Sequence, residues 1–133
     1  MTQDEKDILL KDLCARVPYG VKARGKIPIN QNESKEIVGQ VTCVLYNINI
    51  VQMGGFDVII DYNPYFEIKP YLFPLSSMDL DQRIEYSRTL VIFDESHCSQ
   101  THETYDWFNK NHFDYRGLIE KGLAIDATGL DIY

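Results

Sequence analysis

The sequence predicts an α+β domain: a small antiparallel sheet of about four to five strands, with an N-terminal helix and C-terminal helices packed on it. Three observations carry this. A capped amphipathic segment opens the chain, runs with period-two alternation fill its middle, and helical signals return only after residue 79. At 133 residues the chain is one domain, 1–133. Its 44% hydrophobic and 25% charged residues are ordinary for a globular fold and exclude disorder, collagen and coiled coil.

The first helix begins at Thr2-Gln3-Asp4-Glu5, a capping-box pattern, with Asp4, Glu5 and Asp7 at the positive end of its dipole. Ile8, Leu9, Leu10, Leu13 and Val17 give it an apolar stripe, and Pro18 ends it. A short strand over 21–24 and a polar loop over 25–36 follow. A long strand is expected over 37–51, with Val44, Tyr46, Ile48 and Ile50 on one face. Met53-Gly54-Gly55 then turns into a hairpin partner at 56–61. Tyr62-Asn63-Pro64 is a second turn. Pro70 and Pro74 are expected to keep residues 65–73 out of a helix or a central strand. Asp79 caps a second helix to about Ser87, Thr89–Phe93 is a brief strand, and a third helix runs over about 101–111. Asp114 caps a short fourth helix that stops before Gly122.

The net charge is −7, with 6 basic and 12 acidic residues in 67–133. That balance opposes non-specific nucleic-acid binding, which needs cations against phosphates. Cys14, Cys43 and Cys98 form no disulfide framework, and no apolar run is long enough for a membrane span. A cytoplasmic protein without membrane attachment is expected.

Several motifs approach catalytic patterns. Gly20-x4-Gly25-Lys26-Ile27 is close to a phosphate-binding loop, with Asp94-Glu95-Ser96-His97 as a DExH-like partner. Ile27 replaces the hydroxyl that ligates magnesium, and Pro28 opposes the helix that must follow. His97, Cys98, His102 and His112 match no zinc spacing, and a Cys98/His102 nucleophilic pair lacks an orienting third group. Asp61-x5-Glu67-Ile68-Lys69 resembles the metal site of PD-(D/E)xK nucleases, in which two carboxylates hold magnesium and a lysine steadies the reacting groups. This metal-dependent nuclease, using Asp61, Glu67 and Lys69, is the alternative reading. The leading one has no catalytic set, no metal and no cofactor.

The aromatic density of residues 62–73 is the most unusual local composition. Tyr62, Tyr65, Phe66, Tyr71 and Phe73 are interleaved with Pro64 and Pro70, and stiffened aromatics make good contact anchors. The candidate binding residues are Tyr65, Tyr71 and Phe73, together with Asp114, Tyr115 and Arg116.

Three segments, 11–22 (KDLCARVPYGVK), 67–78 (EIKPYLFPLSSM) and 113–124 (FDYRGLIEKGLA), are similar to a family of short uncharacterised proteins of gut anaerobic bacteria and their phages or other mobile elements. The resemblance implies a cytoplasmic setting and a mobile-element origin, and it supplies no catalytic residues. Members often carry a basic residue where this chain has Phe73, which opposes a phosphate-binding role for that segment. The resulting expectation is a non-enzymatic protein-interaction module of phage or mobile-element origin, whose partner is an unidentified protein.

Overall fold

The computed structural model describes residues 1–46, 49–60 and 67–133. Helix α1 (Gln3–Arg16) starts where Thr2 accepts the Glu5 N–H, and ends in a 3-10 turn over Val17–Tyr19, with Gly20 in the left-handed region. Its buried Leu9, Leu10 and Leu13 seal one face of the sheet.

The main sheet contains β1 (Lys22–Pro28), β2 (Ser34–Leu45), β3 (Ile50–Met53), β4 (Phe56–Ile59) and β5 (Glu67–Pro74). To these are added β8 (Phe113–Asp114) and β9 (Ile125–Asp126). The order is β4-β3-β2-β1-β5-β8, with β9 also on β5. The class is as expected, but the sheet has seven strands and is mixed: β1 to β4 are antiparallel, whereas β8 and β9 join β5 in parallel.

Three further expectations are corrected. The expected loop over 25–36 is mostly strand, because polar residues of β1 and β2 alternate on an outward face around a tight turn at 29–33. The single strand over 37–51 is two strands that pair antiparallel, β2 with β3; Asn49, with φ 56°, lies where the chain reverses. Ile48 and Asp61, also assigned to strands, lie outside the described residues.

Pro70, expected to keep its segment out of a central strand, lies inside β5, opposite Ala23 of β1. The Tyr133 hydroxyl bridges the Tyr71 carbonyl to Lys22 of β1, so Tyr71 faces the β1 edge. By alternation Pro70, like Leu72, faces the other edge, where β9 begins only at Tyr71. The missing N–H therefore removes no ladder bond to β1.

The sheet curls until β4 touches β1 and β5. Gly25 sits at the tightest point. A Cβ there would meet Met53 Sδ at 3.0 Å, and Ile37 Cγ1 and Val58 Cγ2 at 3.3 Å each. The glycine and lysine of the phosphate-loop pattern are thus mid-strand residues, one needed for close packing and one on the outward face.

Beyond β5 come α2 (Leu80–Arg88), the hairpin β6 (Val91–Asp94) with β7 (His97–Ser99), and α3 (His102–Lys110). Capping boxes at Asp79/Gln82 and Thr101/Thr104 open the two helices. The expected fourth helix is not formed. Residues 115–124 are turns and bends, and the Asp114 carboxylate accepts the N–H groups of Leu118 and Ile119, both at 2.9 Å, with no helix behind them. No helix among the described residues is long and apolar enough to cross a membrane.

The chain's last residues fasten the sheet. The Tyr133 hydroxyl accepts the Lys22 N–H and donates to the Tyr71 carbonyl, each at 2.8 Å. Burial pushes its phenol up to about 12. Its ring stacks on His112 with centroids 3.6 Å apart. Burial, then the charges of Arg16 and Lys22, lower the His112 imidazole to about 4. His112 is therefore neutral when folded, whereas an unfolded histidine protonates near 6.5. The unfolded state binds the extra proton between these values, so the contribution of His112 to stability is full above about pH 6.5 and falls as the pH drops toward about 4. His112→Asn, which tolerates the local φ of 62°, is expected to lose less stability over that window when urea midpoints are compared. Equal pH slopes for the two proteins would contradict this assignment.

Candidate interaction site

Two features stand out on the surface. The first is a groove of about 610 Å³ lined by Ala15, Leu75, Gln100, Tyr105, Asn109, Tyr115 and Arg116. Its floor is set by a buried charge network. Asp12 and Arg16, one helical turn apart on α1, are both fully buried and meet at 2.8 Å. Arg16 Nη2 donates to the Phe113 carbonyl at 2.6 Å, which ties α1 to β8. The second carboxylate oxygen of Asp12 accepts Arg116 Nε at 3.1 Å. Arg116 Nη2 donates to the Tyr115 hydroxyl at 2.9 Å. Both guanidinium groups lie over the Tyr115 ring, at 5.3 Å for Arg16 and 4.8 Å for Arg116. Phe108 stacks on the same ring at 5.4 Å, and Tyr105 stands 5.3 Å away and 42% exposed. On its other side Arg116 borders a smaller groove, of about 470 Å³, lined by Asp4, Asp7, Ile8, Lys11 and Tyr46.

The second feature is the β6–β7 hairpin. Ile92 and Phe93 are each 71% exposed and Val91 is 45% exposed, although they are the most apolar stretch of the hairpin. Val91 pairs with Ser99 and Ile92 with Cys98, and the register then shifts at Phe93 before Asp94 pairs with His97. The turn is closed by Asp94, which accepts the Ser96 N–H at 2.8 Å and pairs with His97 Nδ1 at 2.8 Å. Helix α2, which has no buried residue, adds Leu80 and Ile84 one turn apart at 73% and 42% exposure. This arm is anchored through its base. Tyr86 stacks on buried Phe108 at 5.4 Å, Glu85 accepts Trp107 Nε1 at 3.2 Å, and Thr101 Oγ1 donates to the Thr89 carbonyl at 2.9 Å.

The expected binding residues separate. Tyr71 is 7% exposed and part of the buried interior, so it offers no contact surface. Phe73 is half-buried in the ladder beside β8, its ring 6.2 Å from Phe113 and 6.0 Å from Tyr133. Neither stands outside the sheet, as the flanking prolines had suggested. Asp114 is buried and occupied by backbone N–H groups. Tyr115 and Arg116 do come together, in the groove. Tyr65 lies outside the described residues.

Of the nuclease-like residues, Glu67 and Lys69 share a face of β5 with their charged groups 3.3 Å apart. Lys26 at 3.5 Å and Arg24 at 3.8 Å also approach Glu67. Partial burial raises the Glu67 carboxyl, but the Lys69 hydrogen bond and the three positive charges outweigh it and hold the group below its ordinary value. A carboxylate ringed by three cations repels a divalent cation, which weighs against metal binding there. Asp61 is outside the described residues. Among the described residues no group of three or more His, Cys, Asp or Glu is placed to hold a metal ion. Cys98 lies in β7 and His102 opens α3, so they do not share a helical face.

Leu75, Gln100, Tyr105 and Asn109 were not singled out from the sequence, nor was the exposure of Ile92. The available signal was the Val91-Ile92-Phe93 run ending in Asp94-Glu95-Ser96, an apolar strand closed by a polar turn. Comparison with known protein families, with curated proteins and with solved structures finds no match for this chain.

Proposed function

We propose that the protein is a non-enzymatic interaction module of phage or mobile-element origin that docks another protein through the 80–99 arm. The observation that carries this is the exposure of Ile92 and Phe93, 71% each, on a two-stranded hairpin. A lone hairpin has little stability of its own, and clustered exposed apolar side chains mark contact sites. Here the arm is held rigidly at its base by Tyr86 and Thr89 while its tip stays open. Seven carboxylates and two arginines lie between Asp79 and Asp106, so the apolar tip has an acidic surround. That favours a partner with an apolar patch rimmed by lysine and arginine, and opposes pairing with a second copy of this chain.

The test is the double substitution Ile92→Ser/Phe93→Ser. Because both side chains are exposed, stability is expected to change by less than about 0.5 kcal/mol per site. Bait immobilised in a lysate of the native host is expected to retain a defined partner with the wild-type arm and to lose it with the variant. A partner retained equally by both proteins would sink the proposal. So would a variant that unfolds, because the two side chains would then be core.

A further inference from the structure

We propose that the groove between α3 and the Tyr115-Arg116 corner is a binding site for a carboxylate carried on a flat apolar group. This is a site separate from the hairpin, and it stands or falls independently of it.

Asp12 is shared by Arg16 and Arg116, so the network has one negative and two positive groups. In a protein of net charge −7 this three-group network is itself net positive, with Asp4, Asp7 and Lys11 lining the groove on the other side of Arg116. Arg16 is fully buried, whereas the Arg116 side chain is 22% exposed and lines the groove. Two of its nitrogens are occupied, Nε by Asp12 and Nη2 by Tyr115; Nη1 makes no hydrogen bond among the described residues. The Tyr115 hydroxyl accepts from Arg116, which leaves its own proton to donate. A guanidinium pinned by a buried carboxylate loses little freedom when it meets an anion, so the site is preorganised.

Shape and lining give the rest of the ligand. A volume of about 610 Å³ lies in the range of small-molecule sites. Tyr105 presents an exposed ring, and Leu75 and Ala15 add apolar wall. Gln100 and Asn109 line it with amides, and Asn109 is 6% exposed, its Oδ1 without a hydrogen-bond partner among the described residues. A cationic corner beside an aromatic wall fits a planar acid better than a compact, strongly hydrated anion. Two sources share this chemistry: a free aromatic acid, and the C-terminal carboxylate of a peptide ending in an aromatic residue.

The experiment titrates the full chain with 2-naphthoate and with uncharged 2-naphthamide, followed by chemical shifts of backbone amides at 100–116. N-acetyl-Gly-Phe and its C-terminal amide are run alongside. Saturable binding of at least one acid is expected, with its amide weakened about tenfold or more. Arg116→Gln and Tyr105→Ala are each expected to weaken the acid by a similar factor of about ten. Tighter binding of the peptide acid assigns the site to a chain terminus, and tighter naphthoate assigns it to a free acid; both outcomes support the shared chemistry. The proposal is overturned if neither acid saturates by about 5 mM, if acid and amide bind alike, or if both variants bind as the wild type does. Should Arg116→Gln fail to fold, Tyr105→Ala decides the matter, because its exposed ring lies outside the buried network.

Discussion

Replacing Asp12 with alanine is expected to cost about 3–5 kcal/mol, because it strips a buried charge of its partner. Arg16 is fully buried, and its remaining hydrogen bond runs to the Phe113 carbonyl. Its Nη1 already has no hydrogen-bond partner, so the guanidinium tolerates no further loss. Arg116 would lose the same anchor. Part of the loss is expected to return in the double substitution Asp12→Leu/Arg16→Met, since removing both charges also removes the penalty for burying them. Urea unfolding of the two variants checks this. A loss under about 1 kcal/mol for Asp12→Ala would place the pair in solvent, where such ion pairs contribute little.

Phe108→Ala is expected to be comparably damaging, about 3–5 kcal/mol, through lost burial and the cavity left behind. Phe108 is 1% exposed and touches the rings of Tyr86, Tyr105, Trp107 and Tyr115. It belongs to an aromatic cluster distinct from the aliphatic core under α1. This variant therefore carries a second, local signature. With the Tyr86 stack gone, amide exchange across α2 and the hairpin is expected to accelerate more than exchange in β1 and β2. Uniform acceleration would mean that the arm is fixed by something other than this cluster.

The legible parts of the fold are those written in local chemistry. Thr2 and Asp79 each cap the helix they announce, and Gly54-Gly55 turns β3 into β4. What was hidden depends on partners far along the chain. Pro70 argues against an interior strand until the pairing shows that its nitrogen faces away from β1. Asp12 and Arg16 were not singled out in the sequence, because only Phe113 and Arg116, about a hundred residues further on, bury them as a network. The site shows the same division. Tyr115 and Arg116 were legible as an aromatic–cationic corner, yet their neighbour Asp114 turns inward to hold two backbone N–H groups. Tyr71 looked like a rigid contact anchor and is interior, because β5 runs on beyond the proline and gains β9 as a neighbour. Period-two patterning places Ile92 and Phe93 on a strand but does not say that no further layer covers it.

The proposed role of the hairpin tip is to meet another protein. A photo-activated cross-linking residue placed at position 93, with the same residue at exposed Asp57 of β4 as control, tests it in the native host cell. Irradiation is expected to give one discrete heavier adduct at position 93, whose captured protein carries a lysine- and arginine-rimmed apolar surface, and none at position 57. No adduct at position 93, or the same adducts at both positions, would contradict the interaction-module account.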